Sequence, residues 1–401
     1  MTGGLQAADG VFSLLLTKCA SCAAPLGLTS GKKCGRCATR YCGPACQKKH
    51  WEEGGHDQLC KKIKRGGGAE QYHADKMCAE AVAVAVEACA ADTKGQTCYI
   101  CMDAVHRRTG EGLVRGCACG DRDGVASGTT GVVHVACLAE QAKLLVAEAD
   151  ENNLDDTAFY ERWVRWQTCS LCKHDYHGVV RCALGWACWK TYVSRPQEDF
   201  HRGMAMTELG NGLSSADHHE DALSVKETDL ATRRRLGDSE RNMLALQNNL
   251  ATSYQQLGQD EQALRMKRDV YSGYLNLFGE EDEITLQAAN NYAWALNRLD
   301  RFEEAKALLR RTVPVAGRIL GEDCETTLRM RWHYAWMLSN DGSPSLDDLR
   351  EAVTTLEEIE PIARRVLGGA HPLTAELEPN LQNARSNFEA LSERMRDLSV
   401  S

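Results

Sequence analysis

From about residue 200 onward, apolar and polar positions alternate with helical period, and the pattern repeats. Leu236-Gly237, Phe278-Gly279, Leu320-Gly321 and Leu367-Gly368 recur at intervals of 42, 42 and 47. Leu244, Leu286 and Leu328 keep the same register, as do Leu250, Tyr292 and Tyr334; Ala251, Ala293 and Ala335; and Tyr254, Leu296 and Leu338. Each unit reads as helix, turn, helix. Leu257-Gly258-Gln259 and Leu299-Asp300-Arg301 mark inner turns, and the Leu-Gly words mark exits, since glycine takes the left-handed conformation that ends a helix. Four repeats and a capping helix from about Thr374 are predicted, with the longer last interval absorbed at Asn340 to Pro344. Small Ala at the contacts lets helices approach, and each repeat buries its apolar face on the next.

The first 200 residues do not repeat. Val82, Val86 and Ala90 at helical spacing predict a connecting helix over 70–91, after a hinge at Gly66-Gly-Gly68. Leu138 to Ala149 reads as helix. Asp155 or Asp156 caps a second one presenting Phe159, Trp163 and Trp166. The aromatic-rich stretch Arg181 to Lys190 is expected to pack the residues before it against the repeating region.

Length and composition narrow the class. A chain of 401 residues exceeds one ordinary core, and 43% hydrophobic with 26% charged residues describes a folded protein. No apolar run is long enough for a bilayer, and Val11 to Leu16 is too short for a signal peptide. The expectation is a soluble protein of the cytoplasm or nucleus, without a membrane partner. The net charge of −9 opposes general nucleic-acid binding. It is uneven, however, because 32–65 holds ten Lys/Arg against Glu52, Glu53 and Asp57. Lys61 to Arg65 reads either as a solvated helix end or as an import or phosphate-contacting run.

The 19 cysteines come in close pairs accompanied by His, which points to metal rather than disulfides. Cys78, Cys89, Cys182, Cys188 and Cys324 stand outside the pairs and read as buried thiols, although Cys182, Cys188, His174 and His177 are near enough to replace a ligand.

The first set is Cys19-x-x-Cys22, Cys34-x-x-Cys37, Tyr41-Cys42-x-x-x-Cys46-Gln47, Trp51 and His56-x-x-x-Cys60. It resembles the MYND zinc finger in every element. The resemblance implies that Cys19, Cys22, Cys42 and Cys46 bind one Zn²⁺ and Cys34, Cys37, His56 and Cys60 another. A segment this small needs metal to fold. The family binds short proline-containing peptides, with groove positions at Gln47 and Trp51; alternatively Trp51 only packs over the second zinc.

The second set is Cys98-x-x-Cys101, Cys117-x-Cys119, His134-x-x-Cys137 and Cys169-x-x-Cys172, again eight ligands for two closed tetrahedra. Its order resembles the RING-CH family, with longer gaps between Cys119 and His134 and between Cys137 and Cys169. That resemblance implies one zinc on Cys98, Cys101, His134 and Cys137 and one on Cys117, Cys119, Cys169 and Cys172, four ions in the chain. It further implies a surface of Ile100, Trp166, Leu171 and Lys173 that docks a ubiquitin-conjugating enzyme, a positioning mechanism without a catalytic residue. Against this, the same three apolar side chains fill a small core and Lys173 is a solvated charge.

The repeats resemble the longer tetratricopeptide repeats of the kinesin light chain type, which present a peptide groove beside Asn249, Asn291 and Arg331. The fold class expected is multidomain: two small zinc-stapled α+β modules followed by an all-α tetratricopeptide-like superhelix. The domains are a MYND finger (15–62), a linker with connecting helix (63–94), a RING-CH-like module (95–195) and four helical repeats with a capping helix (198–397). No nucleotide loop or nucleophile with its base is present, and the repeats leave no room for the SET methyltransferase domain that accompanies some MYND fingers. The function expected is a zinc-binding adaptor between proteins; the alternative is a RING-type ubiquitin ligase.

Overall fold

The computed structural model describes residues 17–27, 31–117, 119, 131–369 and 371–400, with side chains as far as 396. Val11 to Leu16 and the Gly-rich loop after Cys119, up to residue 130, lie outside the described residues. Those described form two compact units. The first comprises residues up to Cys117 and Val132–Asp238; the second begins at Ser239.

The first unit starts with two short antiparallel strands, β1 (Lys32–Lys33) and β2 (Arg40–Tyr41), with Lys32 opposite Tyr41. They lead into α1 (Pro44–Glu52) and α2 (His56–Arg65). Proline at the first position of α1 lacks the N–H that a helix start leaves unpaired. The triple glycine is a turn: Gly67 and Gly68 have φ of 87° and 98°, which sends the chain into α3 (Ala69–Ala88), and the Ala69 N–H donates to the Cys37 carbonyl at 2.8 Å.

After the ligand-bearing loops come α4 (Val135–Glu151), α5 (Asp156–Trp163), a 3₁₀ turn (Val164–Trp166), α6 (Gly178–Tyr192), α7 (Phe200–Ser215) and α8 (His219–Leu236). Asp155 is the cap of α5; its carboxylate accepts from the Ala158 N–H at 2.9 Å. Helix α6, the aromatic-rich stretch, is buried along most of its length and packs against α3, α4 and α7. It meets α7 through two glycines. A Cβ on Gly185 would stand 2.8 Å from the Glu208 carbonyl oxygen, and one on Gly212 would stand 2.8 Å from that of Arg181. Beside this seam, Arg181 and Glu208 form a buried ion pair at 2.7 Å. The Glu208 carboxylate also accepts from Trp163 Nε1 at 3.2 Å, and Arg181 donates to the Trp166 carbonyl and to Gln167 Oε1. Helices α7 and α8, the first helix pair of the repeating sequence, thus share a core with the segment that carries the ligand pairs.

The second unit is helical throughout: α9 (Glu240–Gln256), α10 (Asp260–Phe278), α11 (Glu283–Asn297), α12 (Phe302–Leu320), α13 (Glu325–Asn340), α14 (Leu346–Leu367) and α15 (Pro372–Val400). Helices α8, α10, α12 and α14 end at the four words read from sequence, each followed by glycine with φ between 73° and 95°. Alanines of successive helices, among them Ala251, Ala263, Ala293, Ala305, Ala335 and Ala352, are fully buried, so the helices sit close. Polar side chains also bridge first helices of neighbouring pairs: Asn291 Nδ2 donates to Asn248 Oδ1 at 3.2 Å, and His333 Nδ1 lies 2.8 Å from Asn290 Oδ1. Within a pair, the buried Lys267 ammonium donates to the Asn248 carbonyl, Asn248 Oδ1 and Thr252 Oγ1.

Candidate metal centres

Four short turns build the sites. In each Cys-x-x-Cys pair the residue after the second cysteine is left-handed: Ala23 at φ 58°, Ala38 at 63°, Met102 at 64° and Lys173 at 65°. In each, that residue's N–H donates to the carbonyl of the first cysteine at 2.9 to 3.0 Å. The first cysteine's own N–H then donates five residues ahead, to Ala24, Thr39, Asp103 and His174. The loop wraps the sulfurs inward and aims backbone N–H groups at them, as Ile100 and Leu171 do toward Cys98 and Cys169, each at 3.4 Å. None of the four left-handed residues is glycine, so each site holds a conformation that costs about 1 kcal/mol against some stronger constraint.

The turns bring together four tetrads: Cys19, Cys22, Cys42 and Cys46; Cys34, Cys37, His56 and Cys60; Cys98, Cys101, His134 and Cys137; and Cys117, Cys119, Cys169 and Cys172. Within each, all ligand atoms lie within 4.8 Å of one another. Sulfur separations of 3.6 Å (Cys22 to Cys42), 3.4 Å (Cys42 to Cys46) and 3.8 Å (Cys34 to Cys60) are far too long for disulfides. They suit the edges of a tetrahedron with metal–sulfur bonds of about 2.3 Å, which are about 3.8 Å. His56 turns Nε2 toward Cys37 (3.4 Å), and His134 turns Nδ1 toward Cys101 (3.4 Å) and Cys137 (3.7 Å). The opposite ring nitrogens, His56 Nδ1 and His134 Nε2, are buried. Burial disfavours charge on both rings and holds their pKa below the ordinary value, so each faces its thiols as a neutral nitrogen donor. At Cys19 burial opposes ionisation, but N–H groups of Cys22, Cys42 and Ser21 outweigh it and bring the thiol down to about 7. The donor sets fit zinc, four ions in all, with every coordination position taken by protein.

Glu111 was not legible as part of a site. It accepts from the Ala136 N–H at 2.6 Å and so serves the first turn of α4, whose N-cap residue, His134, is committed to a tetrad. His50 is likewise engaged elsewhere: the Tyr41 hydroxyl lies 3.0 Å from its Nδ1. His174, His177, Cys182 and Cys188 join none of the four tetrads.

The residues expected to meet partners are placed unevenly. Trp51 stands edge-on to His56, 5.7 Å between ring centres, yet remains 42% exposed; Gln47, one turn earlier on α1, is half-buried. In the central segment the Tyr99 hydroxyl bonds to Ser170 Oγ at 3.0 Å, which joins the Cys98–Cys101 turn to the Cys169–Cys172 turn. Ile100 is half-buried beside it and Leu171 is 44% exposed. The Lys173 ammonium folds back on the Ser170 carbonyl at 2.8 Å. Trp166 is a correction to the expected docking face: it has no exposed surface and packs at 6.0 Å against the Tyr192 ring, because the 3₁₀ turn points it inward toward α6. In the repeats Asn291 is engaged by Asn248, Arg331 by Glu322 and Glu358, and Asn249 is half-buried.

Residues 19–60 match the family model of the MYND finger, and residues 242–318 match that of the tetratricopeptide repeat. No curated protein matches the chain significantly. Among solved structures, one described as a Podosopora anserina kinesin light chain with nearly identical TPR-like repeats shares 18% identity, covering 58% of this chain and 97% of that one at a TM-score of 0.38. BtubC from P. vanneervenii shares 13% identity over 67% of this chain and 92% of its own, at 0.35. The chain thus carries a MYND finger and tetratricopeptide repeats, modules that serve protein interaction. Among the described residues no helix is long and apolar enough to cross a membrane.

Proposed function

We propose that this protein is a zinc-stapled adaptor that binds peptide segments of partner proteins through its MYND finger and its repeats, in the reducing cytoplasm or nucleus where so many thiols stay available for metal. The observation that carries the reading is α1. Cys46 and His50 tie the helix to the metal-bearing core, yet none of its nine residues is buried and its aromatic Trp51 is left 42% exposed beside a metal ligand. Closed tetrads elsewhere leave no position for a metal-bound water, which favours scaffolding over hydrolysis. The test is capture of peptides by zinc-loaded full-length protein from an array of proline-containing sequences, with Trp51→Ala and Gln47→Ala alongside. Loss of the captured set in both variants is expected; an unchanged set would remove the reading.

A second reading, a RING-type ligase with Ile100, Leu171 and Lys173 as its docking residues, takes its support from the Tyr99–Ser170 bond, which joins the two turns that carry them. It leaves Trp166 out. Autoubiquitination by the zinc-loaded protein with a panel of conjugating enzymes, lost in Ile100→Ala, is its signature; no chains from any enzyme would dismiss it.

A further inference from the structure

The charge around α1 goes beyond what a general peptide groove requires. Lys48 lies three residues before Trp51 and Gln47 four before it, so amide, ammonium and indole share one face of the helix, with Lys49 next round the helix beyond Lys48 and turned away from the indole. Both lysines are exposed, and Lys48 pairs with Glu52 at 3.9 Å, a contact open enough to water to contribute little. The same finger exposes Lys32 and Lys33 on β1, Arg36, and Lys61, Lys62, Lys64 and Arg65 on α2. Zinc sites carry their own charge: four thiolates with one ion leave two negative charges, and three thiolates with a histidine leave one. Subtracted from ten Lys/Arg against three carboxylates in 32–65, these leave an excess of about +4. Cys22 and Cys42 reach the surface beside Cys46, so part of that negative charge also faces a ligand, and the cations prevail by number. The chain as a whole is at −9.

From this we infer that the finger's ligand is an acidic peptide, with an apolar residue against Trp51, its backbone paired to the Gln47 amide, and carboxylates within a few residues that meet Lys48 and Lys49. This rests on the peptide-binding reading of α1. A short peptide feels only charges within a Debye length of about 8–10 Å, hence the cationic finger. A nucleic acid is a long polyanion and would also meet the acidic remainder of the chain, which is why the peptide is the better-matched anion.

The experiment is fluorescence anisotropy on the full-length, zinc-loaded protein with three labelled peptides. They share one central Pro-Leu core and are flanked by four Glu, four Ser or four Lys, and each is measured at low and moderate salt. The Glu peptide is expected to bind at least tenfold more tightly than the Ser peptide at low salt, with the advantage falling below threefold at moderate salt. Lys48→Glu/Lys49→Glu, checked for unchanged zinc content, is expected to abolish the advantage, whereas Trp51→Ala weakens both peptides alike. Equal, Trp51-dependent binding of the Glu and Ser peptides would overturn the acidic ligand and leave peptide binding intact. Absence of any Trp51-dependent binding would overturn the peptide reading as well. A single-stranded oligonucleotide that displaces the Glu peptide, and needs Lys48 and Lys49 more than Trp51, would assign the surface to nucleic acid instead.

Discussion

Replacing Glu208 by glutamine isolates one charge at the heart of the first unit. The Arg181 and Glu208 side chains are each only 8% exposed and their atoms meet at 2.7 Å. Glutamine keeps the shape and can still accept from Trp163 Nε1, so neither a cavity nor a lost indole bond enters the result. What remains is a guanidinium buried with two neutral acceptors, the Trp166 carbonyl and Gln167 Oε1. Removing one member of such a pair costs about 3–5 kcal/mol, because the surviving charge loses its compensation. With urea slopes of about 1–3 kcal/mol/M, the unfolding midpoint falls by roughly 1 M or more. The assay is urea unfolding of the full chain in saturating zinc, with tryptophan fluorescence and release of metal to an indicator dye followed together, since Trp163, Trp166 and Trp189 are buried in this unit. Arg181→Met/Glu208→Leu, which removes both charges, is expected to recover at least half of the loss. A Glu208→Gln midpoint within error of the parent would refute the argument, as would a double variant no better than the sum of its singles.

The geometry sets three further outcomes. Burial, with Arg329 adding to it, holds His333 down at about 3 against an ordinary 6.5, so the unfolded chain takes up a proton that the folded one refuses. Stability of the repeats is then complete above pH 6.5 and falls steadily as pH drops from 6.5 toward 3, by about 2 kcal/mol at pH 5; thermal unfolding of the parent and His333→Gln between pH 7 and 5 reads the difference, and identical slopes would contradict it. Native mass spectrometry should count four zinc ions per chain, and three in either Cys98→Ser or Cys19→Ser; a count unaffected by a substitution would remove that tetrad. Gly185→Ala forces a Cβ to 2.8 Å from a backbone oxygen and should cost about 1–3 kcal/mol, whereas Gly237→Ala meets open space and loses about 1 kcal/mol to its φ of 73° alone; equal melting shifts would refute the seam.

The parts of this architecture that could be read along the chain are those whose chemistry is local. Glycine accepts the positive φ at which many helices exit, so Leu236-Gly237 and its three counterparts marked helix ends to the residue. Ligand pairs with two residues between them announce a turn, again from local chemistry. The metal turns themselves hid one property: their left-handed positions are Ala23, Ala38, Met102 and Lys173, with no glycine to betray them. Trp166 was ambiguous because an aromatic beside ligands suits a docking face and a core equally, and only its packing under α6 decides. Arg181 and Glu208 lie 27 residues apart on different helices, and no periodicity links an arginine in one aromatic stretch to a glutamate in another.

The close approach of α6 and α7 also bears on how such a protein can change length. An array of helix pairs ordinarily gains or loses members by whole-unit duplication, since any pair can be copied onto its neighbour. Here the opening pair is keyed by Gly185 and Gly212 to a partner that is not itself a repeat, so a copied or deleted unit at that end would bring side chains where only hydrogen fits. A unit copied or removed beyond Gly237 would leave this seam untouched, whereas the opening pair and the metal-bearing segment stand or fall as one core.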